Sequence, residues 1–135
     1  MKDHVALLIK NNNKFLFIKR SKHKKTLPNI WAVPSGNLED EKDIYQTAKR
    51  EAYKELGIKI KTNSLLVIKE LPEFKVRLHF LICDIVSGEP IIKDFKEISE
   101  LEWLTFSEFF DKFNDNEVGH GLIYLRKNPK IWKNC

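Results

Sequence analysis

Two apolar runs open the chain, one from Val5 to Lys10 and one from Lys14 to Lys19, and Asn11-Asn12-Asn13 lies between them. Asparagine tolerates left-handed backbone, so this break predicts a hairpin turn between two strands. The second run, Phe15-Leu16-Phe17-Ile18, has the aromatic and β-branched content that suits a pleated surface. A polar, lysine-rich loop follows from Ser21 to Asn29. Trp31-Ala32-Val33 predicts a short strand, stopped by Pro34-Ser35-Gly36.

From about Glu41 to Leu56 the period lengthens. Ile44, Ala48, Ala52 and Leu56 repeat every fourth position and form one apolar stripe, which predicts an amphipathic helix. Asp40, Glu41 and Asp43 sit near its start, where the helix dipole favours anions. Gly57 follows the last apolar position as a C-terminal stop. Ile58–Ile60 and Leu65–Glu70 read as two strands. Val76–Val86 is a stronger one, with Val76, Leu78, Phe80 and Ile82 alternating against Arg77 and His79. Ser87-Gly88-Glu89-Pro90 marks a turn, and Leu101–Leu104 a short strand. Ser107 is placed as the N-cap of a helix carrying Phe109, Phe110 and Phe113. A last amphipathic helix is expected over Val118–Lys127. Hairpin, strand, helix, strands and helix in that order imply an α+β arrangement or a mixed-sheet sandwich rather than βαβ repeats.

Composition narrows this little. A chain of 135 residues fits one domain spanning 1–135. Hydrophobic residues make up 42% and charged residues 32%, ordinary shares for a globular protein. The net charge of +5 admits an anionic partner without indicating nucleic acid. The two cysteines form no CxxC pair, which argues against a zinc site. Cys83, inside an apolar run, reads as a small core residue, and two unpaired thiols suit a reducing cytoplasm. The first apolar run ends at Lys10, too short for a signal peptide, and no stretch has the length of a membrane span.

The chemistry concentrates between Gly36 and Ile58. A Pro-Ser-Gly turn feeds a helix on which Glu51 and Glu55, four residues apart, share a face. Stacked carboxylates repel, and a hard cation turns that cost into a gain. Mg²⁺ takes one or two carboxylates, waters and substrate phosphate oxygens, and carbonyls near Gly36 stand where such an ion would sit. Taken alone, the pair is also the common pattern of a solvated helix face.

The spacing is more specific than the pair. Gly36, Arg50-Glu51-Ala52, Glu55 and Gly57-Ile58 stand in the register of the Nudix box: Gly, five residues, Glu, seven residues, then Arg-Glu-apolar-any-Glu-Glu-any-Gly-apolar. The preceding strand and turn, Trp31–Glu39, and the later Glu102-Trp103-Leu104 and Ser107-Glu108-Phe109 are similar to that family too, so the resemblance covers most of the chain. Two positions depart: Lys42 and Lys54 stand where the pattern has glutamate, with Glu41 one residue early for the first.

The resemblance implies a Nudix-type α/β/α sandwich with a mixed sheet, the box helix on one side and the C-terminal helices on the other. It implies hydrolysis of a nucleoside diphosphate linked to another group, with Mg²⁺ or Mn²⁺ as cofactor. The substrate candidates are (deoxy)nucleoside triphosphates, including oxidised ones, ADP-ribose and dinucleoside polyphosphates. By resemblance, Glu55 is the main metal ligand, Glu51 a second ligand or the base, and the Gly36 carbonyl completes the shell. Arg50 orients the carboxylates, Glu97 is a candidate ligand or base, and Arg20 contacts phosphate. Lys54 either pairs with Glu51, weakening a ligand, or contacts substrate phosphate. The lysines of Lys19–Lys25 either steer anionic substrates or form a solvated loop. Trp31, Phe74 and Phe80 are candidates to stack a base, with the core as the commoner place for each. His4, His23, His79 and His120 show no ligand spacing and receive no catalytic role. The two rival readings are a degenerate box that binds nucleotides without turnover, and removal of pyrophosphate from RNA 5′ ends. A nucleotide-sized partner, no membrane, and a monomer or homodimer complete the expectation.

Overall fold

Strand β1 (Lys2–Asn11) is buried from Val5 to Ile9 on both faces, because it runs through the middle of a mixed sheet. A computed structural model of the chain describes residues 1–39 and 43–135. Asn12, with φ of 59°, turns β1 into the antiparallel β2 (Lys14–Arg20), as the three asparagines predict. The other strands are β3 (Trp31–Ala32), β4 (Ser35–Asn37), β5 (Lys59–Leu71), β6 (Val76–Ser87) and β7 (Ile98–Leu104). The main path is β3-β2-β1-β6-β5, with β4 on β1 and β7 on β2. β1 and β6 pair in parallel from Lys2 opposite Val76 to Lys10 opposite Asp84, and the remaining pairs are antiparallel.

Alternation along the central strands sorts the core into two layers. Val5, Leu7 and Ile9 of β1, with Leu16, Ile18, Leu81 and Cys83, face α1 (Ile44–Leu56) through Ala48, Ala52 and Leu56. Ala6, Leu8, Phe15, Phe17 and Phe80 point to the opposite side, against α2 (Phe106–Lys112) and α3 (His120–Lys127). That second layer is aromatic: Phe17 stacks on Phe109 at 3.9 Å and Trp31 on Phe113 at 4.9 Å between ring centroids. The α/β/α sandwich expected from the resemblance is the observed fold. Among the described residues no helix is long and apolar enough to cross a membrane. Both cysteines are free thiols, and burial pushes the Cys83 thiol up to about 12, as suits an inert core residue.

Several boundaries differ from the sequence reading. β3 stops short of Pro34 as expected, at Ala32, but Ser35 and Gly36 are more than a turn: they belong to β4, which pairs with His4–Ala6 of β1. The two strands expected over 58–60 and 65–70 form one long edge strand, β5, whose register shifts between Thr62 and Ser64 and between Leu65 and Val67. The bulges absorb the polar Thr62-Asn63-Ser64 without ending the strand. β7 begins at Ile98 rather than Leu101. Asp43 caps α1 by accepting from the Gln46 N–H at 2.7 Å, while Asp40, Glu41 and Lys42 lie outside the described residues. The left-handed Gly57 ends α1, its N–H donating to Tyr53 O at 3.0 Å.

Ser107 is not the cap of α2. Thr105 is: its hydroxyl accepts from the Glu108 N–H at 3.1 Å, and the Glu108 carboxylate accepts from the Thr105 N–H at 2.9 Å. Both serine and threonine cap well, so residue type alone did not separate the two positions. The reciprocal partner three residues on did, because Glu108 sits at N3 of Thr105. Thr105→Ala is therefore expected to cost about 1 kcal/mol of stability, and Ser107→Ala, at an exposed position inside the helix, much less. Urea denaturation of both variants checks the assignment.

Candidate active site

The β4–α1 joint brings the box residues together. Glu51, on the face of α1 turned to the sheet, is only 6% exposed. Its Oε1 accepts from Arg50 Nη2 at 3.2 Å. The same Nη2 donates to Asn37 O at 3.1 Å, and Nη1 lies 3.5 Å from Glu39 Oε2. Arg50 thus ties the end of β4 to α1 and holds Glu51, although it does not reach Glu55 as well. Gly36 lies directly against Glu51: a Cβ placed on it would stand 2.4 Å from both Cγ and Cδ of that side chain. Glycine is needed here for close approach, whatever its backbone angles.

Glu55, one turn on, is half-buried. Burial, then the charge of Glu51, push its carboxyl up to about 8, with a smaller upward push from Glu97 and a downward one from Lys54. Arg20, Lys24, Ser35, Gly36, Glu51, Lys54, Glu55 and Glu97 all line one cleft of about 400 Å³. Of the site residues singled out in the sequence, Arg20, Gly36, Glu51, Lys54, Glu55 and Glu97 therefore meet in one place, with Arg50 behind Glu51. Glu97 forms an ion pair with Lys24, which anchors the basic loop across the cleft. The Lys54–Glu51 pair considered from the i+3 spacing is absent among the described residues, and Glu51 is bound by Arg50 instead. Lys54 is left exposed at the rim. Lys42 and Glu41 lie outside the described residues.

Among the described residues no cluster of three or more His, Cys, Asp or Glu side chains stands ready to hold a metal ion. A pair of carboxylates still suits a hard cation that keeps waters and takes its remaining ligands from substrate. Glu51 and Glu55 line the same cleft one helical turn apart, and burial and the charge of Glu51 raise the Glu55 carboxyl. The donor set fits Mg²⁺ or Mn²⁺.

A second, apolar cleft of about 640 Å³ adjoins the acidic one and shares His4, Arg20, Thr26 and Ser35 with it. Its walls include Leu27, Val33, Leu71 and Leu78, with Phe74 and His120 in contact at 4.4 Å between ring centroids. Of the aromatic residues considered for stacking, Trp31 and Phe80 are 6% and 1% exposed and belong to the core, whereas Phe74 is 47% exposed. Sequence reasoning passed over His4, Thr26, Ser35 and His120. The signal for His4 was present: it continues the alternation of Ala6 and Leu8 onto the edge of the aromatic face. Burial, followed by the charge of Lys2, holds the His4 imidazole below its ordinary value. His79 is hydrogen-bonded to Asp3 at 2.9 Å, away from both clefts.

Comparison with known proteins agrees with this geometry. The NUDIX domain family matches residues 2–124. An ADP-ribose pyrophosphatase of Methanocaldococcus jannaschii is 28% identical over 131 residues, covering 94% of this chain and 72% of that protein. The peroxisomal coenzyme A diphosphatase of Caenorhabditis elegans is 29% identical over 104 residues, covering 73% of this chain, which spans only 44% of the worm protein's length. Among solved structures, a NUDIX hydrolase from Nitrosomonas europaea superposes with a TM-score of 0.76 at 19% identity, over 96% of this chain and 88% of that one.

Proposed function

The chain belongs to the Nudix family, and from that premise we propose that its acidic cleft hydrolyses the diphosphate linkage of a nucleoside diphosphate joined to another group, using Mg²⁺ or Mn²⁺. The observation that carries this reading is the desolvated Glu51–Glu55 pair, fixed by Gly36 and Arg50 and facing a rim of Arg20, Lys24 and Lys54. The two named relatives act on diphosphates by their descriptions, which supports a pyrophosphohydrolase. Substrates of this class are small and anionic.

The bound cation would supply charge neutralisation and a water of lowered pKa. This chain's residues supply the rest. Glu51, enclosed and held by Arg50, and Glu55 would be the cation's carboxylate ligands, with the backbone of Gly36 beside them. Glu97, exposed across the cleft, accepts the proton of the attacking water. That water adds to one phosphorus, the bridging P–O bond breaks, and two phosphate-bearing products leave. Arg20 spends Nε on Leu27 O at 3.1 Å and Nη2 on Thr26 O at 2.8 Å, so Nη1 is the nitrogen offered to a phosphate oxygen. Lys54 meets the substrate's negative charge from the α1 side.

Lys54 also sustains a second reading, in which the cleft binds nucleotides without cleaving them. The two separate on one experiment, hydrolysis of ADP-ribose in Mg²⁺ or Mn²⁺ by wild type and Lys54→Glu. Turnover by wild type, with KM about tenfold higher in Lys54→Glu, is expected where a cation meets phosphate. Nucleotide binding without turnover in both proteins would establish the binding module instead.

A further inference from the structure

Glu97 reaches the acidic cleft because β7 breaks its own period. Trp103 and Leu101 pack on the α1 side of the sheet, so strict alternation would turn Ser99 to that side and Ile98 away from it. Instead Lys19 stands opposite Glu100 and Arg20 opposite Ile98, which leaves Ser99 as the extra residue of a β-bulge. Ile98 is thereby returned to the α1 side, at the wall of the cleft, with Glu97 next to it. The bulge aims Glu97, and something further has to hold it. The residue lies in a turn, its N–H donating to Asp94 O at 3.0 Å, and its side chain is half exposed.

Ser21 supplies the hold. Among the described residues the buried polar side chains are Ser21, Thr47 and Glu51. Glu51 belongs to the site, and the Thr47 hydroxyl donates to Asp43 O at 2.8 Å, one turn back in its own helix. Of the two hydroxyls, only that of Ser21 joins segments far apart in the chain. It donates to Lys96 O at 2.8 Å and accepts from the His23 N–H at 2.9 Å. The Ser21 backbone N–H donates to Glu97 O at 3.0 Å, and its carbonyl accepts from the Lys24 N–H at 3.2 Å. Lys96 and Glu97 on one side, and His23 and Lys24 on the other, thus hang on one residue that is 1% exposed. Those two segments carry the ion pair of Lys24 and Glu97 across the cleft. Alanine would fit the space of Ser21, but the Lys96 carbonyl and the His23 N–H would lose the hydroxyl that joins them.

We propose that Ser21 is a positioning residue: its buried hydroxyl ties the 94–97 turn to the basic loop and so fixes the Glu97 carboxylate in reach of the attacking water. This rests on the reading of Glu97 as the base. Ser21 lines neither the acidic nor the apolar cleft, so it acts through Glu97 and touches no substrate. Its loss is therefore felt in kcat rather than in KM.

The test is a double-mutant cycle of Ser21→Ala with Glu97→Gln in Mg²⁺, well below the Tm of every variant. The substrate is whichever of ADP-ribose, a nucleoside triphosphate and diadenosine polyphosphate wild type turns over best. A general base contributes about 10²–10⁴-fold, and a displacement of about 1 Å costs about 10²-fold. Ser21→Ala should lower kcat about ten- to a hundredfold, with KM changed by less than about twofold. In the Glu97→Gln background the same change should cost nothing further, because the group it positions is gone. A merely destabilised fold would lose the same fraction of active protein in both backgrounds, so equal losses overturn the assignment. Full kcat in Ser21→Ala, or a rise in KM alone, also overturns it while leaving the hydrolase and Glu97 standing. Full activity in Glu97→Gln removes the base and this role with it, and a wild type that cleaves none of the three substrates overturns the diphosphate reading and this one together. Should Ser21→Ala not fold, Ser21→Cys carries the same cycle, because its thiol fills the space and donates and accepts only weakly.

Discussion

Glu55→Gln is expected to lower turnover by about 10²–10³-fold, the scale seen when one electrostatic group of a catalytic site is removed, and at the same time to stabilise the metal-free protein. The two effects share one cause. Glu55 is a half-buried carboxyl beside the enclosed Glu51, and burial and that neighbouring charge push it from 4.5 up to about 8. The folded chain therefore keeps a proton on Glu55 at pH values where the unfolded chain has released it. Stability tied to that proton is complete below about 4.5 and is lost as pH rises towards about 8. Glutamine has the same shape and no charge, so the variant should show a flat stability profile over that window. At pH 8 we expect a gain on the order of 1–2 kcal/mol after solvent screening, or roughly 4 °C in Tm per kcal/mol for a domain of this size. Mg²⁺ should reverse the ranking, raising the Tm of wild type and leaving Glu55→Gln unchanged. Thermal melts with chelator and with Mg²⁺ read all of this without substrate. A variant that melts below wild type in chelator contradicts the account of the carboxylate pair.

Gly36→Ala should be the most damaging change of a single carbon in the site. The added Cβ would stand 2.4 Å from Cγ and Cδ of Glu51 and 2.8 Å from its Oε1. Relief is not cheap, because Glu51 is enclosed and its carboxylate is bound by Arg50, while β4 is hydrogen-bonded to β1. Overpacking of this kind costs about 1–3 kcal/mol. Displacing a ligand by an ångström costs activity on the order of 10²-fold. A double-mutant cycle locates the damage. Gly36→Ala combined with Glu51→Ala removes the atoms in conflict, so the double variant should be more stable than the sum of the single changes allows. Additive losses would show that Gly36 matters for some other reason than its contact with Glu51.

The features legible in the sequence were those carried by period and by fixed spacing. The i+4 stripe gave α1 and Gly57 its end. The box register gave Gly36, Arg50, Glu51 and Glu55, which the structure gathers around one cleft with Arg20, Lys54 and Glu97. What escaped was set by pairing over long separations. Nothing local shows that Ser35–Asn37 pairs with β1, or that Thr62-Asn63-Ser64 is a bulged part of one strand rather than a break. The apolar cleft is built from β1, the 21–29 loop, the β5–β6 turn and the start of α3, so no single segment announces it. Phe74 illustrates the point: an isolated phenylalanine reads as core. Only the packing of the 3₁₀ turn against His120 shows it exposed at a pocket wall.

The most direct measurement is hydrolysis of a panel of diphosphates by wild type and Glu55→Gln. The panel comprises nucleoside triphosphates, 8-oxo-dGTP, ADP-ribose and diadenosine polyphosphate, with Mg²⁺, with Mn²⁺ and with chelator. The account predicts divalent-dependent turnover by wild type, strongest on ADP-ribose, abolished by chelator and reduced about 10²–10³-fold in Glu55→Gln. Turnover that survives chelation or the Glu55 substitution would contradict it, as would a protein that binds nucleotides and cleaves none of them.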